Sequence, residues 1–283
     1  MAVATLTMFL LLGLLSWRKK LAYQDTKLPF TKRGLRPPGE SLRVKLEEFD
    51  DKMTEAILWL MGITVLFGIS VYQALTNSWL AGSVFIALML AAMIWWALHF
   101  EKRAELRRDH YLGFLGERAV GEELNQLLAK GWSVFHDVEF HDNPGAKPFN
   151  VDHVVVGTGG LFAIETKTRR KRKDKGGHEV TFNGQRLVYP WGEEDWGIKN
   201  ARERAKHLGA WLSKELATPI IAKPVLALPG WMVHRRGASD LRVVSGSEVT
   251  KAFSGEESNQ RIEPQTVQAI KALLDQKCRD VEA

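Results

Sequence analysis

The residues best suited to chemistry lie in one short stretch, VDHVVVGTGGLFAIETK, residues 151–167. Asp152, Glu165 and Lys167 stand there among apolar residues, on either side of a Gly157-Thr158-Gly159-Gly160 turn. Two apolar runs about such a turn read as a β-hairpin. If Val156 pairs with Leu161, Asp152 pairs with Glu165, and strand alternation points Asp152, Glu165 and Lys167 to one face. Directly opposed Cβ atoms stand roughly 4.5 to 5.5 Å apart, so two carboxylates there repel unless they share a cation. A divalent metal is the simplest compensation for acidic side chains in buried strands. A metal held by carboxylates neutralises nearby negative charge and lowers the pKa of bound water. Lys167, beside two carboxylates, stays protonated and acts first as an electrostatic and orienting group.

Elements outside the hairpin must position these groups. Residues 112–129 read as a helix with Val120, Leu124, Leu127 and Leu128 on one face. At 100° per residue Glu117 falls within that apolar arc and points inward, whereas Glu122 lies opposite and Glu123 at the margin. Val-rich runs such as 151–156 suggest strands buried on both sides. Helical spacing of Ala201, Ala205, Leu208, Leu212 and Leu216 marks a helix over 201–216, and 224–228 and 241–244 read as further strands. Beyond residue 110 the order is helix, three strands, helix, strand, short strand and final helix, a compact α/β unit long enough for one core.

The rest of the 283-residue chain has a different character. Residues 56–75 and 79–98 carry no charged side chain, and each is about long enough to cross the roughly 30 Å hydrocarbon core as a helix. Only Thr76, Asn77 and Ser78 separate them, so they read as a tight membrane hairpin, with Trp79, Trp95 and Trp96 near the interfaces. Residues 2–17 form a third apolar run followed by Arg18, Lys19 and Lys20, the pattern of a short anchor rather than of a cleaved signal peptide. Ten Lys or Arg fall within 18–52, and Lys102, Arg103, Arg107 and Arg108 follow the hairpin. The turn contains none. The positive-inside bias therefore places both basic segments and everything beyond residue 100 in the cytoplasm. A net charge of +6 favours an anionic partner, either nucleic acid or membrane lipid headgroups. The single cysteine, Cys278, excludes an intramolecular disulfide and a cysteine-based zinc site.

The combination Gly116-Glu117-Arg118-Ala119-Val120, Val151-Asp152-His153-Val154-Val155-Val156 and Gly160-Leu161-Phe162-Ala163-Ile164-Glu165-Thr166-Lys167 resembles the nuclease-related domain called NERD. That family is assigned to the restriction-endonuclease-like, PD-(D/E)xK superfamily, and the likeness covers about residues 110–250. It implies a mixed central sheet flanked by helices, with Asp152 and Glu165 holding Mg²⁺ (or Mn²⁺). Lys167 would position or deprotonate the attacking water, and Glu117 would match the helix glutamate as a further catalytic and metal-binding residue. The family usually has Gln before Ile-Asp-His and Asn-Pro-x-x-Gln opening the later helix. Here Asn150 precedes Val151-Asp152, and Arg204 stands in place of that Gln. The expected organisation is an anchor at 1–20, a basic cytoplasmic linker at 21–55, a transmembrane hairpin at 56–100, a nuclease-like domain at 105–250 and a C-terminal helical extension at 251–283.

Six basic residues follow the hairpin: Arg169, Arg170, Lys171, Arg172, Lys173 and Lys175. They read either as a solvated arm or as a grip on phosphates beside the scissile bond. Trp191 and Trp196 read first as packing residues, with base stacking as the functional alternative. The histidines show no ligand spacing and read as structural. The function expected is a membrane-anchored, metal-dependent nuclease hydrolysing DNA on the cytoplasmic face. The alternatives are an inactive nuclease-derived module binding DNA or a protein partner, a second copy of the chain included, and a structural membrane protein whose basic arms bind lipid.

Overall fold

A computed structural model of the chain describes residues 18, 34–140, 149–171, 177–253 and 261–281. The anchor over 2–17, most of the basic linker before Gly34, and Arg172, Lys173 and Lys175 lie outside the described residues. The chain divides into two compact units, one built on Lys45–Asp109 and the other on His110–Ala283 with Lys32–Val44.

The larger parts of two helices, α1 (Glu40–Asn77) and α2 (Trp79–Asn125), make the first unit, with Ser78 alone between them, and α2 runs on into the second unit from His110. Only 6% of the most apolar stretch of each is buried, and Trp59, Leu66 and Ile94 are more than 60% exposed. A core helix of a water-soluble protein buries its apolar stripe. These two expose theirs and are long and apolar enough to cross a membrane. Phe67 meets Phe85 edge-to-face at 5.6 Å, and Arg107 holds Asp50 through bonds of 2.5 and 2.8 Å.

The helix expected over 112–129 is not a separate element. It is the end of α2, followed by a 3₁₀ turn (Gln126–Lys130) that Gly131 closes in the left-handed conformation. The stretch 101–109 is charged but consists largely of strong helix formers, and no Gly or Pro stops the helix there.

In the second unit the sheet is mixed, as expected. Its strands are β2 (Ser133–Phe140), β3 (Phe149–Gly157), β4 (Gly160–Thr166), β8 (Lys223–Leu228) and β10 (Arg242–Ser245), in the order β10-β8-β4-β3-β2. β2, β3 and β4 are antiparallel, while β4, β8 and β10 are parallel. One face packs on Ala205, Leu208 and Leu212 of α3 (Trp196–Leu216) and on Val267, Ile270 and Leu274 of α4 (Pro264–Lys277). The other packs on Val120, Leu124 and Leu127, with Val249 and Phe253 from a later 3₁₀ turn. Helices on both faces account for the uninterrupted Val run of β3.

The structure differs from expectation in two places. A second, smaller sheet of β5 (Glu179–Phe182), β6 (Leu187–Tyr189), β7 (Gly192–Glu194) and β9 (Met232–Arg235) was not foreseen, because three- and four-residue strands carry too little alternation to read. The described residues 261–281 pack within the domain. α4 lies in the main core, and β11 (Arg279–Val281) pairs with β1 (Gly34–Leu35), so the described residues 34–39 before α1 also belong to this unit.

On the face away from α3, His136 and His153 meet across β2 and β3 with their Nδ1 atoms 2.9 Å apart, and His136 Nε2 reaches Asn125 Oδ1 at 3.1 Å. If His136 Nε2–H donates to the amide oxygen, His153 Nδ1–H donates to His136, and the buried, unpartnered His153 Nε2 carries no hydrogen. Both rings are then neutral. Burial lowers His136 to about 4 and pushes His153 well down. A lowered folded-state pKa means the unfolded chain takes up the proton first, so stability falls as pH drops from about 6.5 through about 4. His136 alone accounts for up to about 3 kcal/mol over that window. Replacement His136→Gln should flatten this acid slope in denaturant titrations at several pH values; a slope as steep as in the parent would assign it elsewhere.

Candidate active site

The β3–β4 hairpin pairs Val156 with Leu161 and His153 with Ile164, and Gly157 with Gly160 closes a turn of only Thr158 and Gly159. Continued by one step, that register sets Asp152 opposite Glu165. Both are buried, at 4% and 1% exposure. Asp152 Oδ2 accepts the Thr166 N–H at 2.7 Å. The Lys167 N–H donates to Ala227 O at 2.9 Å, which keeps the chain extended past β4 and returns the Lys167 side chain to the side of Glu165. Its Nζ lies 2.5 Å from Glu165 Oε1 and 4.6 Å from the ring centre of Trp196, the first residue of α3. Gly197 gives the lysine stem its room, since a Cβ there would stand 3.3 Å from Lys167 Cγ.

The other Glu165 oxygen is taken by Arg204. Its Nε pairs with Oε2, and its guanidinium lies 5.0 Å from the Phe149 ring. Sequence reasoning recorded Arg204 as a departure from a family pattern and did not place it in the site. The signal was present: Arg204 stands three residues after Ala201 and four before Leu208, on the buried stripe of α3, so its side chain had to face the sheet.

Glu117 arrives on α2. The helix passes the ends of β4 and β8 so closely that a Cβ at Gly116 would collide with Thr168 and crowd Pro229. Glu117 itself is buried, and its Oε2 has no hydrogen-bond partner. Burial, and then the charge of Asp152, push the Glu117 carboxyl well above the usual range. Burial and Glu165 raise Asp152 to about 7, against the opposing pull of Lys167 and Arg204. Asp137 adds to the negative field at Glu117. It sits on β2 at φ 50°, and its carboxylate accepts the Ser41 N–H at 2.5 Å and the Asn150 side chain at 2.8 Å.

The structure therefore brings Glu117, Asp152, Glu165 and Lys167 into one electrostatic cluster and adds Arg204. Three carboxylates face two cations. Among the described residues no three His, Cys, Asp or Glu side chains already stand in a metal-holding arrangement. Locally, Lys167 and Arg204 hold both oxygens of Glu165. The oxygen donors and the deficit of positive charge nonetheless fit a hard divalent cation in kind. The described part of the basic arm leads away from the cluster. Arg169 pairs with Glu194 at 3.0 Å, and Arg170 and Lys171 are exposed. His153 turns to the opposite face of the sheet with His136, in keeping with a structural role.

Residues 112–229 match the model of the nuclease-related domain, NERD, a span that runs from the end of α2 to just past β8. All five residues of the cluster fall inside it. No curated protein and no solved structure matches the chain. Over residues 112–229 this chain is similar to the nuclease-related domain family.

Proposed function

We propose that the protein is a membrane-anchored nuclease that hydrolyses phosphodiester bonds, in DNA first of all, with Mg²⁺ or Mn²⁺ held by Asp152, Glu165 and Glu117. The carrying observation is the cluster of three buried carboxylates against Lys167 and Arg204: burial first, and then the neighbouring carboxylates, raise Glu117 and Asp152. A bound divalent cation would supply positive charge there and, with it, Lewis-acid polarisation of a phosphate and activation of water. Lys167, held between Glu165 and Trp196, is placed to direct its charge at a phosphate oxygen. Glu117, with an unpartnered oxygen, is the carboxylate freest to accept a proton or a ligand. The two exposed apolar helices support anchoring. The basic flanks support a cytoplasmic domain at the inner membrane face, with the Thr76-Asn77-Ser78 turn outside.

One observation favours a second reading. Arg204 already neutralises Glu165, which supports a domain maintained without a metal, as an inactive module that binds DNA or a protein partner. Substitution separates the two. Asp152→Ala or Glu165→Ala should abolish cleavage of plasmid, and Mg²⁺ or Mn²⁺ should raise the melting temperature of the parent but hardly that of either variant. Saturation at a hundredfold over Kd corresponds to about 2.7 kcal/mol of added stability. Lys167→Ala should keep much of that shift and lose cleavage. A folded parent with neither shift nor cleavage would leave the binding module.

The same site predicts a pH dependence. A raised carboxyl binds its proton more tightly when folded, so in chelator the stability contributed by Asp152 is present below about pH 4 and is lost as pH rises through about 7. Metal must displace that proton. Stabilisation by Mn²⁺ should accordingly grow between pH 6 and pH 8, and an equal shift at both would remove Asp152 from the ligand set. Topology is tested separately: reporters fused at residue 77 should read as extracytoplasmic, and those near residues 40 and 283 as cytoplasmic. An extracytoplasmic C-terminus would overturn the orientation.

A further inference from the structure

The segment that leaves the candidate site runs along the second sheet. Alternate residues meet it: Lys167 lies over Trp196 at 4.6 Å, Arg169 bonds Glu194 at 3.0 to 3.3 Å, and Lys171 Nζ lies 6.0 Å from the Trp231 ring. Two indoles along this line are open, Trp196 at 55% and Trp191 at 41% exposure. Trp191 lies flat on Tyr189, with centroids 4.9 Å apart and planes 10° apart, and Trp231 stands edge-on beneath both at 5.1 and 5.4 Å. Tyr189 and Trp231 are buried in the core of the small sheet and fix the orientation of Trp191. That core accounts for Tyr189 and Trp231. It does not account for two exposed indoles beside exposed basic residues.

Resting on the nucleic-acid reading above, we infer that Trp191 and Trp196 form a stacking platform for unpaired bases, so that the domain takes single-stranded nucleic acid at the approach to its site. Every base offers a π-face, so stacking on indole tolerates sequence, while basic side chains follow the phosphates. A duplex keeps its base faces within its own stack and cannot use both indoles. The Lys167 ammonium on Trp196 joins the platform to the cluster, which places a stacked nucleotide next to the residues proposed to act on the phosphate.

The test uses the full chain in detergent, with chelator to prevent cleavage, and three labelled probes: oligo-dT, oligo-U and a hairpin duplex. Both single strands should bind more tightly than the duplex and quench tryptophan emission. Trp196→Ala and Trp191→Ala should each weaken single-strand binding about fivefold or more. They should leave duplex binding and the salt slope unchanged, and Trp196→Phe should recover most of the loss. Lys171→Gln should instead flatten the salt slope. The platform is refuted if the duplex binds at least as tightly, or if alanine variants that melt like the parent bind single strands as the parent does. Failure of all three probes to bind would sink the nucleic-acid reading itself.

Discussion

Two carboxylates that face each other across a buried hairpin cannot both stay ionised unless positive charge stands close, because neither water nor distance is available to separate them. Around Asp152 and Glu165 the elements answer that constraint in turn. β4 continues one residue along β8 and delivers Lys167; α3 lays its buried stripe over the same strands and delivers Arg204. α2 then brings Glu117 past the ends of β4 and β8 and restores the deficit. The apolar layers on both faces of the sheet serve more than stability here. They hold the local dielectric low, so each added charge shifts its neighbours strongly.

How much of this could be read from sequence depended on how far each inference reached. Asp152 opposite Glu165 needed only the length of one glycine-rich turn, and the register of β3 and β4 follows it. Glu117 needed only helical phase, which survived even though the helix boundary was wrong and α2 continues through from the apolar segment. Arg204 was equally legible by phase, but a comparison of motifs drew attention to what it replaced rather than to where it pointed. The short strands of the second sheet and the pairing of β1 with β11 were not legible. Their partners lie far away in sequence, and two to four residues cannot display a period.

That second sheet changes the meaning of residues that looked interchangeable. The six basic residues after β4 read as one charge run, yet the described ones are placed differently. Arg169 spends its guanidinium on Glu194, whereas Lys171 reaches out toward Trp231. Likewise Trp191 and Trp196 share a loop in sequence, but one is stacked on a buried tyrosine and the other receives the site lysine. A surface that combines basic side chains with oriented indoles differs from a merely basic one, because charge grips any polyanion while ring faces select exposed bases.

Arg204 decides how the charge deficit is met. Unlike glutamine, a guanidinium carries charge that no accessible pH removes, and its fork matches a phosphate as well as a carboxylate. Resting on Glu165, it supplies positive charge without any bound ion, while burial and the neighbouring carboxylates raise Asp152 and Glu117 toward their protonated forms. Near pH 7 that proton on Asp152 is held only weakly. On the function proposed, a divalent cation that displaced it would supply more charge than the deficit requires, and the surplus would favour an incoming phosphate, to which Arg204, on the partly exposed edge of the cluster, could turn its fork. In this site, then, the arginine that looks like a lost motif and the lysine that looks like a kept one act on the same carboxylate, one on each of its oxygens.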